Sequence, residues 1–181
     1  MFIAHLPAGY LLTRKLQNYF KTNRFLWLGL IASILPDIDL IYFYLLDGQR
    51  TFHHNYWIHV PFYWLIIALI TFLLVHRNKN YLIAAVIFFS NIFLHFILDT
   101  VVGQIEWLFP FSKIFVYLFF VPSRYTFWVF NFFFHWTFLF ELAILIWALV
   151  ALVKDLHKSP SFAFYVTKDT SKPLGRRPSK R

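Results

Sequence analysis

The sequence predicts an all-α, polytopic membrane protein: a helical bundle of about four transmembrane helices with one short re-entrant or interfacial segment. Composition is the first reason. The 181 residues are 60% hydrophobic and 23% aromatic but only 14% charged, whereas soluble domains run at about 45–50% apolar and about 25% charged. Patterning is the second. Four apolar runs, Phe25–Leu46, Trp57–Val75, Tyr81–Val102 and Tyr125–Val153, each approach or exceed the ~20 residues that a spanning helix needs. The placement of basic residues between the runs is the third, and it sets the orientation.

Residues 1–12 are apolar but too short to span on their own. They lack the charged start and small-residue cleavage site of a signal peptide, so they are expected to stay on the chain. Arg14, Lys15, Lys21 and Arg24 follow as a basic connector. The first long run contains Leu35-Pro36-Asp37-Ile38-Asp39. A charged side chain at membrane depth costs at least ~2.5–3.5 kcal/mol, so such acids face a partner or a watery cavity. Pro36 removes a backbone donor and predicts a break at which both aspartates turn inward.

His53, His54 and His59 lie at the start of the second run, and the third ends with His95 and Asp99. Residues Trp107–Val121, interrupted by Pro110 and Lys113 and closed by Pro122, read as the re-entrant or interfacial piece, with a fifth span as the alternative. The fourth run carries Asn131, His135 and Glu141. This gives a membrane-embedded domain over 1–153 and a basic, flexible tail over 154–181.

Lys/Arg counts orient the chain. One side receives the 14–24 connector, Arg77, Lys79 and the tail; the other receives Arg50, Lys113 and Arg124. The basic side reads as cytoplasm, with the C-terminus inside. The formal charge of +9 does not suggest nucleic acid, because the tail alone holds eight Lys/Arg against Asp155 and Asp169. Beside a hydrophobic helix, that tail reads as an orientation signal and a contact for anionic lipid headgroups. Oligomeric state is not encoded in these patterns.

The polar residues within the runs point to a metal. No cysteine is present, which excludes thiolate ligands, disulfides and a cysteine nucleophile. A divalent cation would have to sit on His, Asp and Glu, with zinc first and manganese or iron as alternatives. His95 and Asp99 are four apart, one helical turn on one face. Asp37 and Asp39 point roughly 200° apart on a regular helix, an objection that the Pro36 break relaxes. His54 and His59 fall on the same outer side. His5 is harder to place, since residues 1–12 do not cross; either that segment re-enters or the site lies deep. His135 and Glu141, six residues apart, do not share a face; either could stand behind a metal ligand and orient it, and Glu141 could instead be a general base or half of a structural pair. Ser33, Ser90 and Thr100 have no Ser-His-Asp setting.

The ordered pieces His5-Leu-Pro-Ala-Gly9, Leu35-Pro-Asp-Ile-Asp39, His54 with His59, His95-x-x-x-Asp99-Thr100 and Pro110-Phe-Ser112 resemble the YdjM-like bacterial inner-membrane proteins, described as metal-dependent hydrolases. The likeness covers about residues 1–112. It implies a multi-pass inner-membrane protein with a His/Asp metal centre. One departure stands out: the family usually reads His-Arg-Gly-x-Thr-His-Ser through the histidine pair, where this chain has His54-Asn-Tyr-Trp-Ile-His59-Val. A more distant likeness, to helical zinc phospholipases C and nucleases, lacks their late His-x-x-x-Glu here and only tilts the substrate toward phosphoesters.

The expected function is hydrolysis by metal-activated water of a membrane-proximal, phospholipid-like ester or phosphoester. The metal would be held by a subset of His5, Asp37, Asp39, His54, His59, His95 and Asp99, with Asp37 or Asp39 as base. The rivals are a proton- or ion-coupled transporter, since intramembrane Asp and His also build ion paths, and a non-catalytic membrane protein with a structural metal.

Overall fold

A proline decides the shape of the first apolar run. In the computed structural model, which describes residues 3–48, 50 and 53–158, helix α2 (Leu26–Ile34) gives way to a 3₁₀ turn over Leu35–Ile38, and α3 (Asp39–Leu45) resumes beyond it. Pro36 sits in the first turn of the 3₁₀ segment, where its missing N–H leaves no intrahelical bond unmade. Asp37 lies within this break and Asp39 directly after it.

Helix α1 (His5–Phe20) precedes this run and is longer than the sequence reading allowed. It absorbs Arg14 and Lys15 from the expected connector. Its buried face is set by His5, Gly9, Thr13 and Gln17, spaced by four, so one stripe of the helix is small and polar. It ends at Lys21 in the left-handed region (φ 53°), with the Thr22 N–H returned to the Gln17 carbonyl at 2.9 Å.

Helix α5 (Lys79–Val102) is the centre of the bundle; α1, α2 and α4 (Pro61–Val75) all pack against it. The Asn78 side chain starts it by accepting from the N–H groups of Asn80 and Tyr81. Close approach of α1, α2 and α5 depends on Gly29. A Cβ there would lie 2.0 Å from Thr13 Oγ1 and 3.0 Å from Asn91 Nδ2. Asn91 Nδ2 in turn donates to Thr13 Oγ1 (3.0 Å) and to the Ile87 carbonyl (2.8 Å). The apolar core beside this seam is built by Ala32, Trp64, Phe89, Ile92 and Phe96.

The second half departs from expectation. The run Tyr125–Val153 is not one helix but α6 (Trp128–Phe133) and α7 (Phe138–Lys158). Asn131 Oδ1 accepts the N–H groups of Arg124 and Tyr125, and His135 Nδ1 meets Thr137 Oγ1 at 2.8 Å in the turn between the helices. Residues 103–127 form no helix, so the fifth-span alternative has no counterpart. They carry an isolated bridge between Ile105 and Val116 and return to the end of α5 through Leu118 N–H to Thr100 O.

The described residues are all helix, turn and loop around that one bridge. Two helical stretches, Leu26–Leu45 and Lys79–Val102, are long and apolar enough to cross a membrane, and α4 is a shorter apolar helix. By contacts the chain divides into two units, 1–148 and 149–181. Of the second, residues 149–158 are the end of α7, so Lys154–Lys158 are helical; the rest of the expected tail lies outside the described residues.

Candidate metal centre

Asp99 is the hub. Its Oδ2 lies 3.0 Å from His95 Nε2, one turn earlier on α5, while its Oδ1 lies 3.0 Å from His5 Nε2. His5, the first residue of α1, stacks its ring on His95 with centroids 3.9 Å apart. The 3₁₀ turn Trp57–His59 delivers His59, whose Nε2 is 3.5 Å from Asp99 Oδ2 and 3.3 Å from His95 Nε2. The preceding turn, His53–Asn55, brings His54 Nε2 to 4.0 Å from Asp99 Oδ2, its ring stacked on His59 at 4.7 Å. Asp37 Oδ1 reaches His95 Nε2 at 3.6 Å and His59 Nε2 at 3.9 Å.

Six predicted residues therefore converge, as His5, Asp37, His95, Asp99 and as His54, His59, Asp99, with ligand atoms inside each group within 4.8 Å of one another. Five are buried; the Asp37 side chain is 32% exposed. The difficulty over His5 resolves through α1 itself, which packs along α2 and α5 and so carries its first residue to the cluster.

The ring tautomers follow from the outer partners. His95 Nδ1 is 2.8 Å from the Ser33 carbonyl and His54 Nδ1 is 3.1 Å from the Gln104 carbonyl. A carbonyl only accepts, so in both rings Nδ1 carries the proton. His59 Nδ1 donates to Asp39 Oδ2 at 2.5 Å. All three rings, when neutral, thus turn an Nε2 lone pair inward, toward one another and toward a carboxylate. Such a group needs a positive charge among it, and an imidazole held through its far nitrogen by a carbonyl or carboxylate is the usual form of a metal ligand. The spacings fit as well: two donors each ~2.0–2.1 Å from a tetrahedral ion lie about 3.4 Å apart, close to the 3.0 Å between His95 and Asp99, the 3.6 Å between His95 and Asp37 and the 3.5 Å between His59 and Asp99. His5 Nδ1, on a buried ring, has no hydrogen-bond partner among the described residues. The donor set fits a divalent cation.

Asp39 stands behind His59 rather than in either group, buried and bonded to Nδ1. Glu141 is nearby in another sense: its Oε2 accepts the N–H groups of Ile3 (2.5 Å) and Ala4 (3.2 Å), closing the open start of α1 just before His5. His135 is bonded to Thr137 in the α6–α7 turn and belongs to neither group.

The two carbonyl anchors, Ser33 and Gln104, leave no mark in the sequence, since any residue type supplies a carbonyl. Two glycines guard them. A Cβ on Gly103 would meet His54 Cε1 at 2.7 Å, and one on Gly9 would meet Ser33 Cβ at 2.4 Å. The bulky residues between His54 and His59 have structural tasks: Ile58 packs on the core and its carbonyl accepts from Trp64 Nε1, while Tyr56 meets Tyr42 edge to face.

No curated protein and no solved structure matches this chain. A family model described as YdjM inner membrane protein matches residues 1–163, which extends the likeness through His135 and Glu141, and the chain belongs to that family.

Proposed function

We propose that this YdjM inner membrane protein is a multi-pass, metal-dependent hydrolase of a membrane-proximal ester or phosphoester, phospholipid-like in class. One observation carries the reading: three imidazoles fixed through Nδ1 present their Nε2 atoms to the Asp99 carboxylate. That is the preparation a cation site needs before its ion arrives. Imidazoles and carboxylates without thiolate suit zinc first, with manganese or iron as alternatives.

When bound, a divalent cation supplies Lewis-acid activation of water and of the ester oxygen. The chain's own residues do the remaining work. Asp37, the least buried acid of the cluster, lies where substrate would enter, and its carboxylate, besides holding the cation, would take the proton of the attacking water as general base. Asp39 holds the proton on His59 Nδ1 and fixes that ring. The Ser33 and Gln104 carbonyls do the same for His95 and His54. Access at Asp37 favours an open, catalytic arrangement over a closed structural one.

Depth supports a substrate at the membrane surface. His95 lies about 24 Å along α5 from Lys79, which sets the cluster toward the face opposite Arg77 and Lys79. We assign that basic side to the cytoplasm, with four crossings that include α4 and α7 and with a cytoplasmic C-terminus. Outward leucines on α4 (Leu69, Leu73, Leu74) and apolar residues on α7 (Leu139, Trp147) are exposed, as lipid contact requires. The basic residues from Lys154 onward would meet anionic headgroups.

The test is turnover in phospholipid vesicles. Zn²⁺-loaded protein should hydrolyse lipid or a chromogenic phosphodiester, stop after chelation and recover on Zn²⁺ return. Asp37→Asn should lower turnover by ~100-fold or more. Metal-loaded protein that turns over no phosphoester or carboxylic ester, but conducts protons or metal across the vesicle, would sink the hydrolase and leave an ion path.

A further inference from the structure

Six donors are too many for one zinc ion. A tetrahedral zinc takes four ligands, and a catalytic one keeps a position open and so takes three from the protein. Here four imidazoles and two carboxylates face the same space. They are also not arranged as one shell. The imidazoles form two stacked pairs, His5 on His95 and His54 on His59, and each pair falls in a different ligand group. The groups share one residue, Asp99, which His5 meets at Oδ1 and which His95, His59 and His54 meet at Oδ2.

We infer that the centre holds two divalent cations bridged by the Asp99 carboxylate, one on His5, Asp37 and His95 and the other on His54 and His59. The inference rests on the metal-centre part of the proposed function and goes beyond it in number and in the role of Asp99. Each site has its own outer anchors. The Ser33 carbonyl fixes His95 in the first; Asp39 and the Gln104 carbonyl fix His59 and His54 in the second. Among the described residues the second has two besides the bridge, so it is the more open and the weaker. The first draws its ligands from α1, α2's 3₁₀ extension and α5, so its ion also ties three segments together.

The pair makes an asymmetric prediction. Detergent-purified protein, stripped with chelator and dialysed against Zn²⁺, should bind two zinc per chain by elemental analysis. Titration should resolve a tight and a weaker step. His54→Ala should remove the weaker step and leave one zinc; His5→Ala should weaken the tight one; Asp99→Ala should bring the total below one. Because Asp99→Ala could also disturb folding, the unmutated protein loaded with Mn²⁺ gives a second readout: an exchange-coupled pair in its electron paramagnetic resonance spectrum. Saturation of the wild type at one zinc, or a spectrum of isolated Mn²⁺ ions, would overturn the bridge. Turnover plays no part in these readouts. Two zinc without hydrolysis would overturn the enzyme reading alone, and hydrolysis with a single zinc would overturn the pair alone.

Discussion

The seam between α1, α2 and α5 and the outer faces of α4 and α7 are made of opposite materials. The seam is small and polar: Gly9, Thr13, Gln17, Gly29, Ser33 and Asn91 are buried there. The outer faces are large and apolar, with Leu74 at 79% exposure and Trp147 at 67%. A soluble protein would reverse this. In lipid the apolar tails are as good a solvent for leucine as a protein core, so helices gain little by burying leucines against each other and associate through close packing and hydrogen bonds of small residues. The His/Asp cluster sits at the end of that seam, where four-residue spacing along α1 runs from Gln17 to His5. What holds the bundle together is therefore also what aims the ligands.

The contrast breaks first at Gly29. Replacing it by leucine would force side-chain atoms into the space of Thr13 and Asn91, both fully buried. Overpacking costs about 1–3 kcal/mol in ordinary cores, and here it would also sever the Asn91–Thr13 hydrogen bond. Gly29→Leu should lower stability in detergent by ~3 kcal/mol, read by thermal or denaturant unfolding, and should reduce metal content because α1 no longer seats His5. A variant with wild-type stability and metal content would show that the seam is not what positions the site.

Asp39→Asn sharpens the comparison with a smaller effect. The amide still fills the space behind His59 but no longer accepts as a carboxylate. Loss of such an outer partner typically costs 10–100-fold in metal affinity, or about 1.4–2.7 kcal/mol. Zinc titration should give a shift of that size in the step that includes His59, with the fold unchanged by circular dichroism. An unchanged affinity would place Asp39 outside the working of the site.

Much of the cluster is legible in the sequence itself. Pro36 announced the break that frees Asp37 and Asp39, and the four-residue step from His95 to Asp99 announced one face of one helix. The extent of α1 was hidden by Arg14 and Lys15, which read as a connector, although His5, Gly9, Thr13 and Gln17 at intervals of four carried the signal of a buried stripe. The break between α6 and α7 was not legible for a different reason. Tyr125–Val153 contains no proline or glycine, and the chain turns because Asn131 captures the N–H groups of Arg124 and Tyr125 and His135 meets Thr137. Local side-chain bonds of that kind compete with helix wherever Asn or Thr occurs, and only tertiary context decides which wins. The expected count of four crossings fared in the same way: α4 is short by the length rule, and charge at both ends of α7 weakens its apolar signal.

The smallest effect belongs to the outer face. Leu74→Ala removes a large side chain that touches little protein, so the transfer and cavity terms that make core truncations cost ~2–5 kcal/mol are absent. In detergent or lipid the change should stay within about 0.5 kcal/mol, and zinc content should not move. The same truncation at Phe96, fully buried in the core beside His95 and His59, should cost several times more and loosen metal binding with it. A measurable loss at Leu74 comparable to that at Phe96 would mean that the α4 face is covered by protein rather than lipid, and the opposition between seam and surface would have to be redrawn around a second chain.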